Sequence, residues 1–138
     1  MIYSLKSPEL STDWDAYHSI RRRVLWEARG RFGVYDDTHP DEYKEGHFPK
    51  LLFLDGEPIG VIRIDVAGAL GWFRRVAIVE SLQRKGHGSQ LIKMAEEFAR
   101  GQGVARIQSD VDREAISFYH RLGYRLLNRS GTLMAKDL

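Results

Sequence analysis

Apolar positions change their period several times along the chain, and each change marks an element. Ile2–Leu5 reads as a short first strand. Tyr17, Ile20, Val24 and Leu25 then recur at helical spacing, which predicts an amphipathic helix out to about Glu27. Ser11 and Thr12 are its N-cap candidates, with Thr12 and Asp15 spaced as a capping box. Residues 29–49 carry no long periodicity, and Asp36 to Pro40 read as a loop, with Pro40 placed to open a short helix. Lys50–Leu54 is an apolar run that ends in Asp55-Gly56, the strongest two-residue hairpin signal in the chain. The returning segment Pro58–Val66 alternates Ile62 and Ile64 against Arg63 and Asp65. After a turn at Gly68, Leu70–Val79 gives a further strand.

Beyond residue 80 helices and strands interleave. Leu91, Met94, Ala95, Phe98 and Ala99 share one face of a helix expected over Ser89–Arg100, which Gly101 and Gly103 end. Val104–Val111 is a strand and Arg113–Leu122 a helix closed by Gly123. Tyr124–Leu127 and Thr132–Ala135 pair as a last hairpin. Antiparallel strands followed by a strand–loop–helix–strand unit predict an α+β (α/β) domain with a mixed central sheet flanked by helices. That last unit makes a right-handed crossover between two parallel strands. No internal repeat or linker interrupts residues 1–138, so one domain is expected.

Composition narrows the chemistry. The 21 Lys and Arg residues against 19 Asp and Glu leave a net charge of only +2, which does not announce nucleic-acid binding. With no cysteine, disulfides, thiolate catalysis and cysteine-ligated metals are excluded. His18, His39, His47, His87 and His120 lack ligand spacing, so no zinc site is expected. No signal peptide and no apolar run of about 20 residues is visible, and a cytoplasmic, membrane-free location is the expectation.

The stretch Gln83-Arg84-Lys85-Gly86-His87-Gly88 stands where a strand turns into a helix, and it holds two glycines, three basic side chains and nothing apolar. A phosphate-binding P-loop does not fit, because no Lys-Ser or Lys-Thr follows either glycine at the needed spacing. A dinucleotide fingerprint fails at Leu91, where its third glycine belongs. Two readings remain: a solvated turn, or an anion seat made from helix N-terminal N–H groups and the positive end of the helix dipole. Glycine suits the second because a side chain would hold an anion away from the backbone.

Gln83-x-x-Gly86-x-Gly88 after an apolar strand, with Ala115, Phe118, Tyr119, Gly123 and Tyr124 about thirty residues on, resembles the signature of the GNAT superfamily of N-acetyltransferases. The resemblance covers roughly residues 50–138 and implies the GNAT-type acyl-CoA N-acyltransferase fold. Tyr124 stands where the family usually has Phe. The resemblance implies acetyl-CoA as acyl donor, with its pyrophosphate on the backbone from Arg84 through Lys85, Gly86, His87 and Gly88 to Ser89. Arg84, Lys85 and His87 would add charge. Val76, Ala77 and Ile78 would pair with the pantetheine arm, one N–H there polarising the thioester carbonyl. Asp112 occupies a position where the family often has a pantetheine-contacting Asn, and it has a second reading as the N-cap of the helix after it.

By the same resemblance Tyr119 is the general acid that protonates the departing thiolate, and the reaction is direct transfer to an amine in a ternary complex. Glu80 is a candidate base, and Asp110, Asp65 and His47 are others. Arg21–Arg23, Trp26, Phe32, Tyr35 and Tyr43 would line the acceptor side for an acidic or aromatic amine. A homodimer is a further implication. The alternative function is a non-catalytic acyl-CoA-binding module of the same fold.

Overall fold

The computed structural model describes residues 1–138. The chain opens with β1 (Tyr3–Lys6) and α1 (Ser11–Arg21). It then runs through a wide π-helical turn at Arg22–Trp26, a 3-10 turn at Glu27–Arg29 and another at Pro40–Tyr43. Three antiparallel strands follow: β2 (His47–Leu54), β3 (Glu57–Ala67) and β4 (Leu70–Ile78). Next come α2 (His87–Gly101), β5 (Arg106–Asp110), α3 (Ile116–Arg121), β6 (Arg125–Leu126) and β7 (Leu133–Asp137). One sheet contains all seven strands in the order β1-β2-β3-β4-β5-β7-β6, and only β4 and β5 run parallel.

The mixed sheet flanked by helices is as expected, and several boundaries move for local reasons. The first helix starts at Ser11 because Asp13, not Asp15, closes its entry. The Asp13 carboxylate accepts from the N–H groups of Glu9 (3.0 Å) and Leu10 (3.1 Å). Its regular part ends at Arg21 rather than Glu27, since the next turn widens to π geometry. The segment expected to be one helix over 113–122 is a 3-10 turn at Arg113–Ala115 followed by the short α3.

Both faces of the sheet are covered, so neighbouring residues on a strand serve different cores. Leu52, Ile62 and Ile64 pack against Leu91, Ile92, Ala95 and Ala99 of α2. Leu51, Val61 and Ala77 pack on the other side against Tyr17 and Ile20 of α1. Burial therefore runs unbroken from Ile59 to Asp65. The two charges inside that run meet one another: Arg63 Nε and Nη2 donate to the Asp65 carboxylate at 2.8 and 2.9 Å. No helix is long and apolar enough to cross a membrane.

Candidate active site

Two irregularities of β4 make the site. The first is a bulge: β3 residues Val61 and Arg63 pair with Ala77 and Arg74, so β4 carries one extra residue there. Arg75 takes up the excess with φ at +56°, an uncommon backbone region for a side chain of its size. Alternation is lost, and Arg74 and Arg75 are both exposed.

The second is a parting of strands. β4 and β5 pair only from Leu70–Arg106 to Trp72–Gln108 and then diverge. Ser109 Oγ donates to the Phe73 carbonyl at 3.0 Å just beyond the last pair. Further along, the β5-facing edge of Phe73–Ile78 has no strand partner. A cleft of about 480 Å³ opens in the gap. Val76, Ala77 and Ile78 form one wall, Ser109 to Asp112 another, and Ala115, Phe118 and Tyr119 close the far side.

Gln83, Arg84 and Gly88 line the end of the cleft. Gln83 Nε2 donates to the Ile78 carbonyl at 2.9 Å, which ties the loop to the last residue of β4. Arg84 (φ +62°) and Gly86 (φ +89°) both adopt left-handed backbone. Gly86 is the N-cap of α2, and no side chain caps that helix. Its first intrahelical bond runs from Gln90 N–H to the Gly86 carbonyl, so the N–H groups of His87, Gly88 and Ser89 are unsatisfied donors at the positive end of the dipole. A Cβ on Gly88 would stand 3.3 Å from the Phe118 ring.

Tyr119 is buried, stacked edge-on against Phe118 and Tyr124 at 5.1 and 5.5 Å. Its hydroxyl makes no hydrogen bond within the protein, while its side chain lines the cleft. Burial, and after it the Asp112 charge, pushes its phenol well above the ordinary tyrosine value. A phenol held protonated in a cleft can give a proton but is a poor base.

The other expected residues divide. Val76, Ala77, Ile78, Arg84, Gly88 and Asp112 line the cleft with Tyr119. Gly86 and Ser89 line an adjoining groove with Gln90 and Lys93, and Lys85 is exposed and lines neither. His87 is a correction: its side chain is buried and turned away, with Nδ1 at 2.6 Å from the Tyr3 hydroxyl. Only its backbone serves the loop. Asp112 does stand at the N-cap position of the turn after it, but its side chain makes no capping bond and pairs with Arg29.

Glu80 lies apart, in a groove with Ile20, Arg23 and Val79. Asp65 is engaged by Arg63 and by Arg74 (3.3 Å). His47 has Nδ1 at 2.6 Å from the Asp41 carbonyl and Nε2 at 3.6 Å from Asp65. Asp110 lines the cleft and accepts from Thr132. The three consecutive arginines also separate. Arg21 is buried against Glu42 at 2.8 Å, Arg22 approaches Glu27 at 3.7 Å, and Arg23 faces the Glu80 groove.

A second pocket, about 540 Å³, receives Arg21, Trp26 and Tyr35 of the expected acceptor residues. Phe32 and Tyr43 are 71% and 65% exposed and line neither pocket. Arg75 borders both the cleft and this pocket. Sequence reasoning missed Arg75 and Arg29, and it read Gln83 as part of the loop motif without a contact of its own. The Arg74-Arg75 doublet inside an otherwise mostly apolar strand was the one available signal for the bulge.

With this geometry in view, the comparisons fall in line. The Acetyltransferase (GNAT) family model matches residues 3–124. A Bacillus subtilis (strain 168) protein provisionally named an acetyltransferase is 28% identical over 111 residues, covering 77% of this chain and 72% of that one. Escherichia coli ElaA superposes with a TM-score of 0.82 at 16% identity, covering 99% of each chain. The PaiA N-acetyltransferase of Thermoplasma acidophilum, solved in complex with coenzyme A, gives 0.76 at 17% identity over 100% of each chain.

Proposed function

Because the chain belongs to the GNAT family of acetyltransferases, we propose that it moves an acetyl group from acetyl-CoA to a primary amine by direct attack in a ternary complex. The observation that carries this reading is the cleft between the parted strands, with an uncapped helix N-terminus at one end and the buried Tyr119 in its wall. The coenzyme A held by a structural neighbour supports the choice of donor.

The residues suit that donor. The free edge of Val76–Ile78 offers main-chain groups to an extended pantetheine arm, as a strand edge does to an added strand. Backbone N–H groups of Gly86, His87, Gly88 and Ser89, with the Arg84 side chain, would hold the pyrophosphate. A main-chain N–H at the bulge would polarise the thioester carbonyl, a fixed dipole that needs no reorganisation.

In the transfer the neutral amine nitrogen attacks the thioester carbon, a C–N bond forms, and the C–S bond breaks. The thiolate takes the Tyr119 proton, the amine loses one N–H proton to solvent, and Tyr119 is reprotonated from solvent. The test is a panel of amines with purified protein and acetyl-CoA, following free thiol. Steady release with at least one amine is expected. Binding of acetyl-CoA without release for any amine would make the protein a binding module instead.

A further inference from the structure

We propose that the acceptor is a small amine carrying its own carboxylate, of the amino-acid class, with that carboxylate on Arg75 and the amine directed past the bulge into the cleft. The inference rests on the acetyltransferase reading and names its second substrate.

Position comes first. Among the residues lining the two pockets, Arg75 alone belongs to both. It sits on the bulge beside Val76, so a group bound to it is held next to the strand that lines the cleft. A carboxylate only a few bonds from its amine suits that short span. The pocket, at about 540 Å³, is of small-molecule size.

Charge comes second. Each acid of the pocket already has a partner. Asp65 is met by Arg63 and Arg74, Glu42 by Arg21, and Asp41 by Lys44 at 2.8 Å. Asp36 accepts from the N–H and hydroxyl of Thr38. Arg75 has no carboxylate; its guanidinium lies over the Trp26 ring, 5.1 Å from the centroid. Around Glu42, Arg21 Nε and Nη2 and the Tyr17 hydroxyl are buried without partners, against one unmet oxygen, Glu42 Oε1. Among these unpaired buried atoms donors outnumber acceptors. Partial burial, and after it the neighbouring Arg21, Arg63, Arg74 and Arg29, lower the hold of Arg75 on its proton. A cation crowded by cations gains from an anion. The planar fork of arginine also fits a carboxylate through two parallel bonds.

The experiment compares matched acceptors with purified protein and acetyl-CoA: amino acids, their carboxamides, and unbranched diamines. A charge-assisted bond predicts a kcat/KM about ten- to a hundredfold higher for the best acid than for its amide. Arg75→Asn removes the charge while tolerating the left-handed backbone, and it should bring that ratio close to one, mainly through the acid's KM. Amides or diamines turned over as well as the acids would overturn the proposal while leaving the acetyltransferase reading intact. Undiminished selectivity in a folded Arg75→Asn protein would remove Arg75 from the assignment. Release with no amine at all would take away the acetyltransferase reading and this one together. Should Arg75→Asn not fold, the acid-to-amide ratio of the parent protein decides by itself.

Discussion

Ser109 and Phe73 are joined across the point where the sheet opens, the buried serine hydroxyl donating to the phenylalanine carbonyl at 3.0 Å. Their bond lies just past the last parallel pair, Trp72–Gln108, and so fixes how far the gap extends toward the base of β4.

Ser109→Ala should therefore do two things. Leaving a buried carbonyl unpaired costs about 1–3 kcal/mol, which lowers the melting temperature by several degrees in a domain of this size. It should also weaken acetyl-CoA binding by loosening the cleft wall, read by titration calorimetry. Unchanged stability and affinity would show that the strands part without this pin.

The glycines of the loop predict a loss of ligand stabilisation. Acetyl-CoA should raise the melting temperature by mass action. Gly86→Val forces a β-branched residue to φ +89°, and Gly88→Val pushes into Phe118 and across the amide cradle. Both should abolish the acetyl-CoA shift, whereas Gly86→Asn should keep part of it because Asn tolerates left-handed backbone. Parent-sized shifts in both valine variants would place the phosphates elsewhere.

Arg84 and Lys85 should not be equal. Arg84 lines the cleft and Lys85 does not. Arg84→Ala is expected to weaken coenzyme A severalfold or more and to leave a phosphate-free pantetheine fragment almost unaffected. Lys85→Ala should have a small effect that fades with added salt. Competition binding at two ionic strengths separates these cases.

Tyr119→Phe keeps the ring packing and removes the acid. Turnover should fall at the lower end of the about 10²–10⁴-fold range for a positioned acid, since a thiolate is a fair leaving group. Melting temperature and acetyl-CoA affinity should change little. Because the Tyr119 phenol lies above its ordinary value, the parent kcat profile should show no loss of the acid form below about pH 10.

Alkaline stability follows from three buried tyrosines. Burial raises the phenols of Tyr17, Tyr119 and Tyr124. Above about pH 10 the unfolded chain releases these protons while the folded one keeps them, so stability falls as pH rises, by about 1.4 kcal/mol per pH unit for each tyrosine. Tyr17→Phe should lessen that slope by one such contribution. At pH 7 it should be neutral or slightly stabilising, because the lost hydroxyl is buried without a partner. Chemical denaturation at pH 7 and pH 11 checks both statements.

Apolar runs and turn chemistry placed most of the sheet, because both are local properties of the chain. Asp55-Gly56 is a case: its two positive φ angles, +51° and +85°, are what a tight hairpin requires. Gly86 and Gly88 were legible for the same reason. What stayed hidden depends on distant partners. His87 reads as a phosphate ligand until Tyr3, far away in sequence, claims its ring. Asp112 keeps the N-cap position read for it, but its carboxylate goes to Arg29, which reaches it from the first helical region. The bulge at Arg75 uses no glycine, so its one local trace was the pair of adjacent arginines, Arg74 and Arg75.

The free edge of β4 also bears on how the chain fares among other proteins. A run of unpaired main-chain groups is a template on which a second extended segment can add, the route by which sheets grow into aggregates. Here the edge is recessed between β5 and α3, which admits a slender arm but resists a broad sheet. A ligand lying along it would cover those groups and hold the folded state by mass action, guarding the edge as well as serving the reaction.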